Sequence, residues 1–186
     1  GAGAVAVTRA YYHAPISEFL RTSASEIIGE LTRNHPQELL QQQTQSWLFQ
    51  IDHLHRVLPD QIGGHIFFEF QIPRVGKRAD VILGLEGTVL VIEYKRDSKK
   101  HERADIVQVT DYALDLKNFH GGSHHAPIVP ILVATGAPSR PIELTEYSDR
   151  VFHPILSNDE TLPAILGTVR ERVQGAPLDV NSWMES

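Results

Sequence analysis

The sequence predicts an α/β sandwich on a mixed central sheet, in the order helix, three-strand antiparallel meander, helix, strand. Three observations carry this. Strand-like runs HIFFEFQI (His65 to Ile72), ADVILGL (Ala79 to Leu85) and TVLVIEYK (Thr88 to Lys95) follow one another with only PRVGKR and Glu86-Gly87 between them. Connections that short join antiparallel neighbours, because a parallel return needs a long crossover. Helical periodicity brackets the meander, and PIVPILVAT (Pro127 to Thr135) lacks polar alternation, the mark of a strand buried on both faces.

Taken in order, Gly1 to Pro15 is expected to be a flexible leader and residues 16–186 a single domain with its core at about 36–135. The helical segment runs from Ser17 to Leu58. Ser23-Ala-Ser-Glu26 has the form of a capping box, and Pro36 opens a second piece with Leu39, Leu40, Trp47, Leu48, Ile51, Leu54 and Leu58 at mostly helical spacing. Pro59-Asp60 and Gly63-Gly64 end it. After the meander, Arg103 to Phe119 places Ile106, Val109, Ala113, Leu116 and Phe119 on one stripe, closed by His120-Gly121-Gly122. A short strand, RVFHPIL, and a helix from about Glu160 to Val173, capped by Asn158 or Asp159, complete the domain at about 150–174.

With 186 residues, 41% of them hydrophobic, the chain can bury a full-sized core. It has no cysteine, which excludes disulfides, thiolate catalysis and Cys-based zinc sites. No apolar run is long enough to cross a bilayer, and the first residues lack the pattern of a secretory signal, so a cytoplasmic protein without a membrane partner is expected. The formal charge of −6 argues against a nucleic-acid partner, yet the average conceals a reversal. Eight of the 17 basic residues (Arg74, Lys77, Arg78, Lys95, Arg96, Lys99, Lys100, Arg103) lie between Arg74 and Arg103. Taken alone, KRDSKKHER is a solvated charged loop.

The chemistry-bearing residues surround that window. A tight hairpin pairs the start of one strand with the end of the next, so Asp80 comes beside Glu93. Glu93 and Lys95 are two apart on a strand and point the same way. Two ionised carboxylates flanking a core need a compensating charge, and Mg²⁺, with its hard oxygen ligands and retained waters, is satisfied by Asp80, Glu93 and the backbone carbonyl of Tyr94. Lys95 is then placed to orient or deprotonate a water and to offset charge on a phosphate, a set of groups suited to metal-assisted phosphodiester hydrolysis. An ordinary charged strand end has the same Glu-x-Lys spacing.

Asp80 followed by Glu93-Tyr94-Lys95 and a helix resembles the PD-(D/E)xK nuclease superfamily, and Gln108-Val-Thr-Asp-Tyr112 is similar to the Q-x-x-x-Y element of its RecB-like branch. The resemblance implies a restriction-endonuclease-like sandwich, Mg²⁺ or Mn²⁺ as cofactor, DNA as substrate, catalytic roles for Asp80, Glu93, Lys95, Gln108 and Tyr112, and nucleic-acid contacts from Arg74, Lys77, Arg78, Arg96, Lys99 and Lys100. FFEFQIPRVGKRADVIL, DYALDLKNFH and PIVPILVAT also look like the amino-terminal region of bacterial proteins that continue into a helicase-like NTPase, which implies such a fused or associated partner in repair or phage defence. Ala79 stands where many relatives have Pro. Glu38 and Glu69 are candidates for the first-helix acid that some branches use. A non-catalytic nucleic-acid-binding or protein-docking module that keeps the fold is the alternative.

Three further features receive the plainer reading. Val75-Gly76-Lys77-Arg78 is not a phosphate loop, because Gln71 replaces its first glycine and Arg78 its Ser or Thr. His120, His124 and His125 sit in a glycine-rich loop with no further ligand nearby. Trp47 belongs to a core.

Overall fold

The computed structural model describes residues 9–36, 38, 41–74 and 76–185. Leu39, Leu40, Val75 and the expected leader over residues 1–8 lie outside them. The leader otherwise ends sooner than expected: Tyr12–Pro15 is a strand, β1, paired antiparallel with the first meander strand in the register Tyr12 to Phe68. Ala10, Tyr11 and Tyr12 are buried, which is what holds a strand of four residues in place.

The helices α1 (Ile16–Arg21), α2 (Ala24–Asn34) and α3 (Gln41–Val57) follow. Ser23 caps α2, its Oγ accepting from the Glu26 backbone N–H at 3.3 Å. The meander is β2 (His65–Gln71), β3 (Arg78–Leu85) and β4 (Thr88–Lys95), antiparallel throughout. Glu86 and Gly87 join β3 to β4 with positive φ at both positions (49° and 87°), the turn whose twist matches a hairpin. Helix α4 (Arg103–Phe119) then crosses to β5 (Ile128–Ala134), parallel to β4 and buried at every residue.

RVFHPIL forms two strands instead of one. β7 (Val151–Phe152) and β8 (Ile155–Ser157) both pair with β5, and their registers differ by one residue across His153-Pro154, where proline offers no N–H to the ladder. A short β6 (Glu146–Ser148) pairs with β7, giving the order β1-β2-β3-β4-β5-β7-β6. Asn158 stands before helix α5 (Leu162–Arg172) as expected, but its Oδ1 holds a turn by accepting from Glu160 and Thr161 N–H, and Thr161 takes the cap position. Beyond α5, α6 (Val180–Glu185) carries the buried Trp183.

The result is an α/β domain with a mixed open sheet and helices on both faces. One core joins Phe19, Ile27, Leu31, Trp47, Ile51 and Leu54 of α1–α3 and Leu162, Ile165, Leu166 and Val169 of α5 to Ile66, Phe68, Val81, Leu83, Leu90 and Ile92. The other joins Val109, Tyr112, Ala113 and Leu116 of α4 and Trp183 to Phe67, Phe70, Ile82, Val89 and Val91. Phe119 is not part of the α4 stripe; it is 44% exposed, with the Arg74 guanidinium 4.5 Å above its ring. Among the described residues no helix is long and apolar enough to cross a membrane.

Candidate functional site

The hairpin register decides where the acids go. Val81 of β3 pairs with Ile92 of β4, so the next residues along, Asp80 and Glu93, are level with each other. The Asp80 backbone N–H donates to Glu93 Oε2 at 3.4 Å, and the Tyr94 N–H donates to Asp80 Oδ2 at 2.9 Å. Glu93 is 5% exposed. Burial, and then the neighbouring Asp80, push its carboxyl well above the ordinary carboxylate range.

Lys95 continues the Glu93 face and lies 3.6 Å from Asp105 in the first turn of α4. Together with Lys77, Gln108, Asp111, Tyr112 and Asp115 these two line a cleft between the end of the meander and α4. Gln108 and Tyr112 therefore face the same cleft as Lys95. The Tyr112 phenol is pushed up to about 12, by burial first and then by the charges of Glu93, Asp80 and Glu69, which places it within electrostatic reach of all three.

Behind the Asp80/Glu93 pair, on the α3 side, the Tyr94 hydroxyl meets His53 Nδ1 at 2.8 Å and His53 Nε2 meets the Asp159 carbonyl at 3.0 Å. A carbonyl only accepts, so Nε2 carries the proton and the phenol donates to Nδ1. Burial lowers the His53 pKa and keeps the ring in this neutral form.

The six basic residues expected at nucleic acid have different surroundings. Lys77 lines the cleft, and Arg96, Lys99 and Lys100 are exposed beyond β4, with Arg96 over the Phe49 ring at 5.3 Å and Lys100 3.6 Å from Glu102. Arg74 sits over Phe119. Arg78 is committed to the fold: its Nη1 donates to the carbonyls of Glu69 (2.7 Å) and Arg9 (2.9 Å), and its guanidinium covers the Tyr11 ring at 3.9 Å. Comparison of the chain with protein families, with curated proteins and with solved structures found no match.

Of the two candidates for a further acid, Glu38 is exposed outside any helix, whereas Glu69 lies in β2 between residues paired with Val81 and Ala79 and its Oε1 accepts from the Trp47 indole Nε1 at 3.0 Å. Two histidines of the glycine-rich loop are held by the fold, His120 buried against Ser123 Oγ at 2.8 Å and His124 meeting the Lys117 carbonyl at 2.8 Å, and His125 is exposed. Trp47 is fully buried. Sequence reasoning missed Asp105, Asp111, Asp115 and His53. For Asp111 and Asp115 the signal was present, since 108, 111, 112 and 115 follow helical spacing along one face.

Among the described residues no three His, Asp or Glu side chains converge as a ready-made metal cluster. The pair itself does fit a hard divalent cation. Asp80 and Glu93 on neighbouring strands offer hard carboxylate oxygens, and a cation held there would offset the burial and the mutual repulsion that raise Glu93, with backbone and water oxygens completing its shell. A separate apolar hollow at the opposite ends of β2 and β3 is lined by Phe67, Ile82, Val89 and Trp183, and its one carboxylate, Glu86, pairs with Arg170 at 3.6 Å. It offers nothing of this kind.

Proposed function

We propose that this is a metal-dependent nuclease domain hydrolysing phosphodiester bonds of DNA, with Asp80, Glu93 and Lys95 as its working groups and a restriction-endonuclease-like sandwich as its fold. The observation that carries the reading is the juxtaposition of Asp80 and the buried Glu93, bonded through the strand backbone, with Lys95 two residues on along the same face. Asp80, Glu93 and the Tyr94 carbonyl would hold Mg²⁺ or Mn²⁺. When bound, the cation supplies Lewis acidity at the scissile phosphate. The Tyr94 N–H fixes the Asp80 carboxylate, and the ion pair with Asp105 holds the Lys95 side chain at the cleft mouth, where its ammonium would meet the phosphate. Gln108 and Tyr112 face the bound strand from α4, and Lys77, Arg96, Lys99 and Lys100 supply its phosphate contacts.

The acidity of the cleft supports a cation requirement. Asp105, Asp111 and Asp115 accompany two lysines there, so a phosphodiester entering without divalent ions meets net repulsion. The same three aspartates favour a second reading, a non-catalytic module that docks a basic partner. A helicase-like NTPase, fused or associated, would complete the proposed protein in the cytoplasm.

The deciding experiment incubates the domain with linear, circular and single-stranded DNA and with RNA in Mg²⁺, Mn²⁺, Ca²⁺ or chelator, beside Asp80→Asn, Glu93→Gln and Lys95→Ala. Cleavage of DNA in Mg²⁺ or Mn²⁺, lost in all three variants, is expected. Cleavage that persists equally in the variants, or no cleavage by the wild type, would sink the reading.

A further inference from the structure

The cleft face of α4 continues past the last of its acids. An α-helix turns by about 100° per residue, so Gln108, Tyr112 and Asp115, all lining the cleft, lie within about 40° of one direction. Phe119, about three turns after Gln108, returns to within about 20° of it, whereas the buried Val109, Ala113 and Leu116 point about 80–140° away. Phe119 therefore belongs to the cleft stripe of α4 and not to its core stripe. It sits about 6 Å of helix rise beyond Asp115.

The opposite wall at this end is the turn from β2 to β3, which carries both Lys77 and Arg74. The Arg74 guanidinium reaches across to lie 4.5 Å from the centre of the Phe119 ring. Both groups face solvent: Arg74 is exposed, and Phe119 remains 44% exposed although a guanidinium covers it. Arg74 holds a φ of 71°, a left-handed conformation that glycine takes freely and arginine does not. The turn thus keeps a long cation where a relaxed backbone calls for glycine, and departures of this kind cluster at ligand sites.

A phosphate has no use for a phenyl ring. A nucleobase does, because every base has a flat π face, and both aromatic rings and guanidinium planes accept it in stacking. In a duplex that face is covered by the neighbouring base pairs, so only an unpaired base can offer it. A basic protein segment is the poorer occupant, since the guanidinium of Arg74 already holds the cation position over the ring and repels a second positive charge.

We propose that Phe119 and Arg74 form a stacking platform for an unpaired nucleobase, and that the cleft is accordingly a site for single-stranded DNA. This rests on the nuclease reading for the path of the strand through the cleft. About 16 Å of helix separates Phe119 from Gln108, so the stacked base lies a few nucleotides from the phosphate at Lys95. Lys77, between the two, follows the connecting backbone.

The test measures binding of a single-stranded oligonucleotide and of a blunt duplex in Ca²⁺, by fluorescence anisotropy, for the wild type, Phe119→Leu and Phe119→Trp. Phe119→Leu should bind the single strand about tenfold more weakly and the duplex within about twofold of the wild type. Its salt slope on the single strand should match the wild type, because stacking releases no counterions. Phe119→Trp, with the larger ring, should bind the single strand at least as tightly as the wild type. An abasic site moved along the oligonucleotide should find one position that costs the wild type about the same factor and costs Phe119→Leu nothing more. This scan uses the wild type, so it decides the matter even if Phe119→Leu folds poorly. Unchanged single-strand binding by Phe119→Leu, equal losses on single strand and duplex, or an abasic scan without such a position overturns the platform and leaves the nuclease reading to its own cleavage assay. Loss of the single-strand preference in Phe119→Leu, with a wild type that cleaves nothing, supports the platform and overturns the nuclease reading. A wild type that neither binds single strands nor cleaves DNA overturns both.

Discussion

Glu69→Gln carries a stability prediction that needs no substrate. Burial, resisted in part by the Trp47 hydrogen bond, raises the Glu69 carboxyl from 4.5 to about 7. At about 1.4 kcal/mol per decade of proton affinity, that displacement is worth roughly 3 kcal/mol between the fully protonated and fully ionised limits. The folded protein binds this proton more tightly than the unfolded chain. Its contribution is therefore intact below pH 4.5, is lost as pH rises through about 7, and is level above that. The glutamine variant has no such slope, while the other groups titrate in both proteins. In chelator, the unfolding free energy of Glu69→Gln relative to the wild type should grow by roughly 2.5 kcal/mol between pH 5 and pH 8.5. For a chain of this length the relative melting temperature would shift by about 5–10 °C over the same interval. Urea unfolding at half-unit pH steps measures it. Parallel stability curves for the two proteins would refute the assignment of a buried, ionisable Glu69.

Asp80→Asn and Glu93→Gln should each abolish calorimetric Mn²⁺ binding, and Glu93→Gln should be the more stable protein at pH 8 in chelator, because it removes a burial penalty that grows as pH rises toward the elevated Glu93 value; retained binding in either variant would remove that ligand. Lys95→Ala leaves both carboxylates in place, so Mn²⁺ should still bind while DNA cleavage fails, and equal loss of both would make Lys95 a structural charge. The double variant Lys99→Ala/Lys100→Ala should reduce the slope of log affinity for DNA against log salt by about 1.8, with the cation requirement unchanged; an unaltered slope returns the segment to solvent. Tyr94→Phe strips His53 Nδ1 of its donor in a buried setting and should cost about 1–2 kcal/mol in urea unfolding. A neutral result would show that water replaces the phenol.

Much of this architecture is legible in the sequence because its signals are local. The two-residue Glu86-Gly87 turn fixes the β3–β4 register, the register fixes Asp80 against Glu93, and the unpatterned run Ile128–Ala134 declares its own burial on both faces. What escaped depended on partners distant in the chain. Tyr12–Pro15 has too few residues to announce a strand and is one only because β2 presents an open edge. Arg78 has the composition of a phosphate ligand, and its hydrogen bonds go to the carbonyls of Arg9 and Glu69, 69 and 9 residues away along the chain, beyond what a periodicity encodes. His53 occupies an ordinary helical position, and its partners are 41 and 106 residues away.

The turn between β3 and β4 constrains the chain in a way that its composition does not reveal. Leu85 pairs with Thr88 across it, and every pairing toward Asp80 and Glu93 is counted from there. One residue inserted after Glu86 would advance β4 by a step, exchange the faces of all its side chains, and carry Glu93 to the side now occupied by Tyr94. The turn also has no room to absorb the insertion outward, since a side chain at Gly87 would run into the backbone of Gly175 and Ala176. The length of this loop is thus as tightly set by geometry as the placement of Asp80 against Glu93, and the fold should tolerate substitutions at Glu86 far more readily than insertions or deletions beside it.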